Sequence, residues 1–173
     1  TRREDFTLTL VNYAAERFLY RLSKSGHRER FTLKGAMLFA ARIGEQYRPT
    51  RDLDLLGTGE ATERAVDAVV RDIVATSVAD DGLIFDLSTL RVQAIREDNR
   101  HGGMRATLQA HLAGARIPIQ IDVGFGDVVT PAATYLEFPT LLEGMPSPSV
   151  LAYPIETVVA EKVEAMVDLG ISN

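Results

Sequence analysis

The chain has 173 residues and no cysteine. That absence excludes disulfides, thiolate metal centres and cysteine nucleophiles, and it leaves the redox compartment open. Positive charge is also scarce, with 19 Lys and Arg against 24 Asp and Glu, a net −5. Such a balance argues against a broad basic surface that holds duplex nucleic acid by phosphate neutralisation, so any contact with nucleic acid must be local. No apolar run approaches the roughly 18 residues of a membrane span, and the opening TRREDF lacks the apolar core of a signal peptide. The chain is expected to be soluble and cytoplasmic, with no membrane partner. His27, His101 and His111 are scattered without metal-ligand spacing, and neither a Walker A glycine loop nor a serine nucleophile elbow is present.

What is present is an apolar content of 46%, enough for the core of a single domain. From Phe6 to Ser25, Leu8, Leu10, Val11, Ala14, Phe18, Leu19 and Leu22 recur at helical spacing. Phe31 to Lys34 reads as a short strand, Gly35 as a turn, and Ala36 to Ile43 as a helix closed by Gly44. A further helix is expected from about Glu60 to Ala79, with Ala65, Val66, Val69, Val70, Ile73 and Val74 on one side. From Ile84 the period changes to two. Met104 to Leu112 and Ile117 to Phe125 form the clearest hairpin. Matching their apolar faces with Gly114-Ala115 as the two-residue loop sets Asp122 opposite Thr107. Pro146 and Pro148 mark a loop before a last helix from about Pro154 to Leu169. No internal repeat or second domain is visible.

The chemistry concentrates in few places. In Arg51-Asp52-Leu53-Asp54-Leu55, residues two apart on a strand share a face, so the two carboxylates stand together while the leucines enter the core. Two readings are open: a strand edge facing water, or a pair gripping magnesium or manganese, ions that prefer oxygen ligands and support phosphoryl and nucleotidyl displacement. Asp122 lies on the polar face of an otherwise apolar-faced strand and is a third candidate, with Asp127 a loop alternative; a solvated face explains both equally well. Lys34-Gly35-Ala36, between a strand and a helix, is either a common glycine turn or a place where backbone N–H groups meet a phosphate. Lys162 falls within the apolar arc of the last helix, made by Ile155, Val158, Val159, Val163 and Met166. It either snorkels to water or points an ammonium at phosphate oxygens. Arg91, Arg96, Arg100 and Arg105 read as solvated charge with the option of a local polynucleotide contact.

Taken together, Phe31-Thr32-Leu33-Lys34-Gly35-Ala36, Arg51-Asp52-Leu53-Asp54-Leu55, Ile121-Asp122-Val123 and Ile155-Glu156-Thr157-Val158-Val159-Ala160-Glu161-Lys162 resemble the AbiEii/AbiGii family. These are MenT-like nucleotidyltransferase toxins of the DNA polymerase β-like superfamily. The resemblance runs from about residue 30 to the end. It implies an α+β fold, a mixed β-sheet flanked by helices, with Asp52, Asp54 and Asp122 as catalytic carboxylates and ligands of Mg2+ or Mn2+. It implies nucleotide contacts from Lys34, Gly35, Ala36, Arg51 and Lys162, the last also catalytic. A nucleoside triphosphate substrate, an RNA acceptor of the tRNA type and a cognate antitoxin follow from it. Two departures stand out. Ala36 occupies a place where many members have serine, and the chain ends at Ile171-Ser172-Asn173, where the family continues into a helical segment bearing a further Asp.

Overall fold

The computed structural model describes residues 2–43, 50–95, 102–126 and 129–160. In chain order the elements are α1 (Arg2–Lys24), β1 (Phe31–Leu33), α2 (Gly35–Ile43), β2 (Asp52–Gly57), α3 (Glu63–Val74), β3 (Ile84–Ile95), β4 (Gly103–Leu112), β5 (Ala115–Phe125), β6 (Thr134–Glu137) and β7 (Ser149–Ala152). Residues 155–160 are helical. The strands form one seven-stranded sheet in the order β3-β4-β5-β2-β1-β7-β6. It is mixed: β2 pairs with β5 and β1 with β7 in parallel, and the other pairs are antiparallel. The α+β architecture expected from the sequence is what the chain adopts.

Period-two alternation makes one sheet face dry and the other wet. Leu53 and Leu55 of β2, Met104, Ala106, Leu108 and Ala110 of β4, and Ile117, Ile119, Ile121 and Val123 of β5 are all buried. Against this side pack α1, through residues such as Phe18, Leu19 and Leu22, and α3, through Val66, Val69, Val70 and Ile73. Each such side chain contributes about 1.5–3 kcal/mol when fully buried, so the face is fixed against sliding. A slip of one residue would expose the whole row.

Several boundaries differ from the sequence reading, each for a local reason. The helix α3 is shorter than Glu60–Ala79 because Thr62, in an extended conformation, caps it, its Oγ1 accepting the Ala65 N–H at 3.2 Å. The strand β7 lies in the stretch read from sequence as loop and β6 in one for which no element was expected; both are four residues long and are held by distant partners. The β4–β5 hairpin is displaced by two residues from expectation. Leu112 pairs with Ala115, so Ala113 and Gly114 form the turn, both at positive φ, 47° and 86°. That is the mirror-image turn whose twist suits a hairpin. The apolar faces still match, since the shift is even, but Asp122 faces Arg105 and not Thr107. The last helix is described only to residue 160; there Val158 packs against the core while Ile155 and Val159 are exposed.

A buried ion pair ties α1 to the loop before β3. Arg21 donates to both carboxylate oxygens of Asp81, at 2.5 and 3.1 Å, and Asp81 also accepts the Leu83 N–H, with both charged side chains buried. Removing one partner strands the other charge in the interior. Asp81→Ala is expected to lower stability by about 3–5 kcal/mol, read as a fall in the urea midpoint. Ala113→Asn should act the opposite way, adding about 1 kcal/mol by suiting the left-handed turn, measured as a rise in melting temperature.

Candidate active site

The wet face of the sheet carries the charged residues, and strand register brings them together. In the parallel β2–β5 pair, Asp52 lies beside Gln120 and Asp54 beside Asp122. In the antiparallel β4–β5 pair, Asp122 lies beside Arg105. Beyond β2, the Lys34 N–H donates to the Asp54 carbonyl at 3.0 Å, which continues the row onto the end of β1. The sequence Arg105, Asp122, Asp54, Lys34 therefore runs across four neighbouring strands as plus, minus, minus, plus. Paired residues of adjacent strands are about 5 Å apart. Asp52, Asp54 and Asp122 are each half-buried, as is Lys34, while Arg51 is exposed.

Asp122 is held firmly. Arg105 Nε donates to its Oδ1 at 2.7 Å and Arg105 Nη2 to its Oδ2 at 2.7 Å, a forked contact, and Gln120 Nε2 adds a third bond to Oδ2 at 3.1 Å. The hydrogen-bonded Asp122 carboxylate raises the Arg105 guanidinium above its ordinary pKa, and the charges of Asp122, Asp52 and Asp54 add to the effect. Arg105 thus pairs with Asp122 and feels the charges of Asp52 and Asp54, and it is not the solvated charge that its sequence context suggested. Only the pairing register reveals this, since Arg105 and Asp122 are 17 residues apart.

Gly35 opens α2 at φ +70°, and a Cβ there would stand 2.0 Å from Asp54 Oδ2. Glycine is thus required twice, for the backbone conformation and for the approach of α2's first turn to the carboxylate. The Asp54 carboxylate fills the space a side chain at Gly35 would take, and the neighbouring Ala36 is half-buried. Lys34 extends its ammonium over the Tyr153 ring at 5.9 Å from the centroid. Tyr153 is itself tied to β1 through its N–H to the Leu33 carbonyl at 3.0 Å.

The donor set at Asp52 and Asp54, hard carboxylate oxygens two residues apart on one strand face, fits Mg2+ or Mn2+. Among the described residues no group of three His, Asp or Glu side chains converges to hold a metal, in keeping with the turn of Asp122 towards Arg105. His27 contacts Asp72 and Arg30, away from the carboxylates. Lys162, Asp127, Arg96, Arg100 and His101 lie outside the described residues. Among the described residues, no helix is long and apolar enough to cross a membrane.

The fold has solved counterparts. A structure from Helicobacter pylori described as a candidate nucleotidyltransferase is similar to it at 14% identity, with a TM-score of 0.52, over 87% of this chain and 55% of that chain. The structure of JHP933 from Helicobacter pylori is similar at 14% identity and a TM-score of 0.52, over 89% of this chain and 56% of that chain. At such identity the likeness is one of fold, and the chain spans little more than half the length of either. No curated protein matches the chain. The model of the AbiEii family, nucleotidyl transferase toxins of type IV toxin–antitoxin systems, matches residues 17–173. The chain belongs to that family.

The Gly35→Ala variant should be less stable by about 1–3 kcal/mol, the cost of forcing a side chain into this backbone region. Chemical denaturation reads that loss. The same variant should lose affinity for any ligand that enters over Asp54, and calorimetric titration with a nucleoside triphosphate reads that.

Proposed function

We propose that the chain is a metal-dependent nucleotidyltransferase, the toxin of a toxin–antitoxin pair. It moves a nucleotide from a nucleoside triphosphate to an RNA end of the tRNA type, in the cytoplasm, and a cognate antitoxin restrains it. The observation that carries this reading is the Asp54–Asp122 register, with Asp52 on the same face and Gly35 pressed against Asp54. Membership of the AbiEii family supports it.

In this reading Asp52 and Asp54 hold Mg2+ or Mn2+. When bound, such an ion stabilises negative charge on the entering and leaving oxygens of an in-line displacement. The chain's own residues bind and orient. The backbone N–H groups at Gly35 and Ala36, at the start of α2, meet phosphate oxygens, Lys34 and Arg51 offset their charge, and Lys162 supplies a further ammonium to the nucleotide. Asp122 takes the proton of the attacking hydroxyl. The hydroxyl oxygen bonds to the α-phosphorus, the bond from that phosphorus to the bridging oxygen breaks, and pyrophosphate leaves. The net charge of −5 favours a compact acceptor that touches few phosphates over a long duplex. By the same argument a small-molecule or protein hydroxyl is the second acceptor class.

Incubation with labelled nucleoside triphosphates, Mg2+ and total RNA is expected to label RNA. Label confined to protein or small molecules would move the acceptor to the second class. No label and no triphosphate binding would leave a silent module that binds only its antitoxin. Asp52→Asn and Asp54→Asn should each reduce transfer by at least about a hundredfold with unchanged circular dichroism. Transfer that survives both changes would remove the carboxylate pair from the chemistry.

A further inference from the structure

The forked Arg105–Asp122 contact has a consequence for the site that the carboxylates alone do not. Asp122 cannot be counted as a ready ligand or base while two guanidinium N–H groups and the Gln120 amide occupy its oxygens at 2.7, 2.7 and 3.1 Å. Charge-assisted forked bonds of this kind are the strong ones. Yet Arg105 is not locked in the interior, since its side chain is 34% exposed against 17% for Asp122. Its planar fork matches a phosphate as well as a carboxylate. It projects from β4 on the same wet face as Asp52 and Asp54, where the phosphates of a nucleotide would enter.

We propose that Arg105 is a positioning residue that latches Asp122 away from the divalent cation until a phosphate group of the nucleotide takes over its guanidinium. This inference rests on the nucleotidyltransferase reading. Before nucleotide arrives, the guanidinium supplies the positive charge that lets Asp122 stand beside Asp54, and the cation binds to Asp52 and Asp54 alone. With a triphosphate present, the guanidinium changes partner and the third carboxylate becomes available to the site. Cation and nucleotide then bind cooperatively, because each removes a charge that opposes the other.

The test is Mn2+ binding to the full chain, followed by the electron paramagnetic resonance of free Mn2+, with and without a non-hydrolysable nucleoside triphosphate. Without nucleotide, Asp122→Asn should leave the wild-type affinity within about twofold, whereas Arg105→Gln should tighten it about tenfold, the scale of one charge-assisted contact. In the Arg105→Gln background Asp122→Asn should weaken binding about tenfold, against twofold or less in the wild type, whereas a purely additive charge effect would give the same loss in both backgrounds. Arg105→Lys keeps the charge, guards against loss of the fold, and should tighten binding less than Arg105→Gln because the ammonium still opposes the cation. Nucleotide should make the wild type sensitive to Asp122→Asn. Equal sensitivity to Asp122→Asn with and without nucleotide, or no gain in Arg105→Gln, overturns the latch while leaving the nucleotidyltransferase reading intact. A wild type that takes up no Mn2+ under either condition overturns both.

Discussion

The site depends on the parallel pairing of β2 with β5. These strands are distant in sequence, yet their register sets Asp54 directly beside Asp122. Two unit charges on neighbouring strands, about 5 Å apart, repel by roughly 3 kcal/mol at an effective dielectric constant near 20, so the two carboxylates do not by themselves favour the arrangement. It is imposed by the other face, where Leu53, Leu55, Ile121 and Val123 are buried at 2% exposure or less. The apolar row fixes the register, and the charged row follows because side chains alternate. Cations at the two ends, Arg105 and Lys34, frame the negative charge that the register forces together.

This division explains why the charged groups of the candidate site sit on strands and at one helix start. A sheet held from below by α1 and α3 can present half-buried charges above without unfolding around them. The close approach of Gly35 to Asp54 is permitted by the absence of a side chain. The buried Arg21–Asp81 pair has a different task, joining α1 to the chain just before β3, and it stands apart from the row of charges.

Much of this was legible in the sequence, and the failures have physical causes. Alternating apolar residues identified β2, β4 and β5, and counting by twos puts Asp52 with Asp54 and sets Asp122 on a polar face; that Asp122 joins the pair was implied only by the family resemblance, since the β2–β5 pairing shows in the structure. The four-residue strands β6 and β7 were not legible, because segments so short carry little pattern and are defined by partners far along the chain. The hairpin register was misjudged by two residues. Gly114 suggested a turn with glycine first, whereas the chain accepts Ala113 in the left-handed region and puts glycine second. That even shift preserved every face and so left no trace in the apolar pattern. It concealed the partner of Asp122, because Arg105 is recognisable only once it is seen opposite the carboxylate.

In the proposed function Asp52 and Asp54 are the cation-holding edge of a nucleotide site under the first turn of α2. Anomalous diffraction from crystals of the protein grown with Mn2+ and a non-hydrolysable nucleoside triphosphate tests that most directly. The expected result is an anomalous peak at the Asp52 and Asp54 carboxylates, with phosphate density against the backbone of Gly35. A peak coordinated by other side chains, with Asp52 and Asp54 left facing solvent, would contradict it.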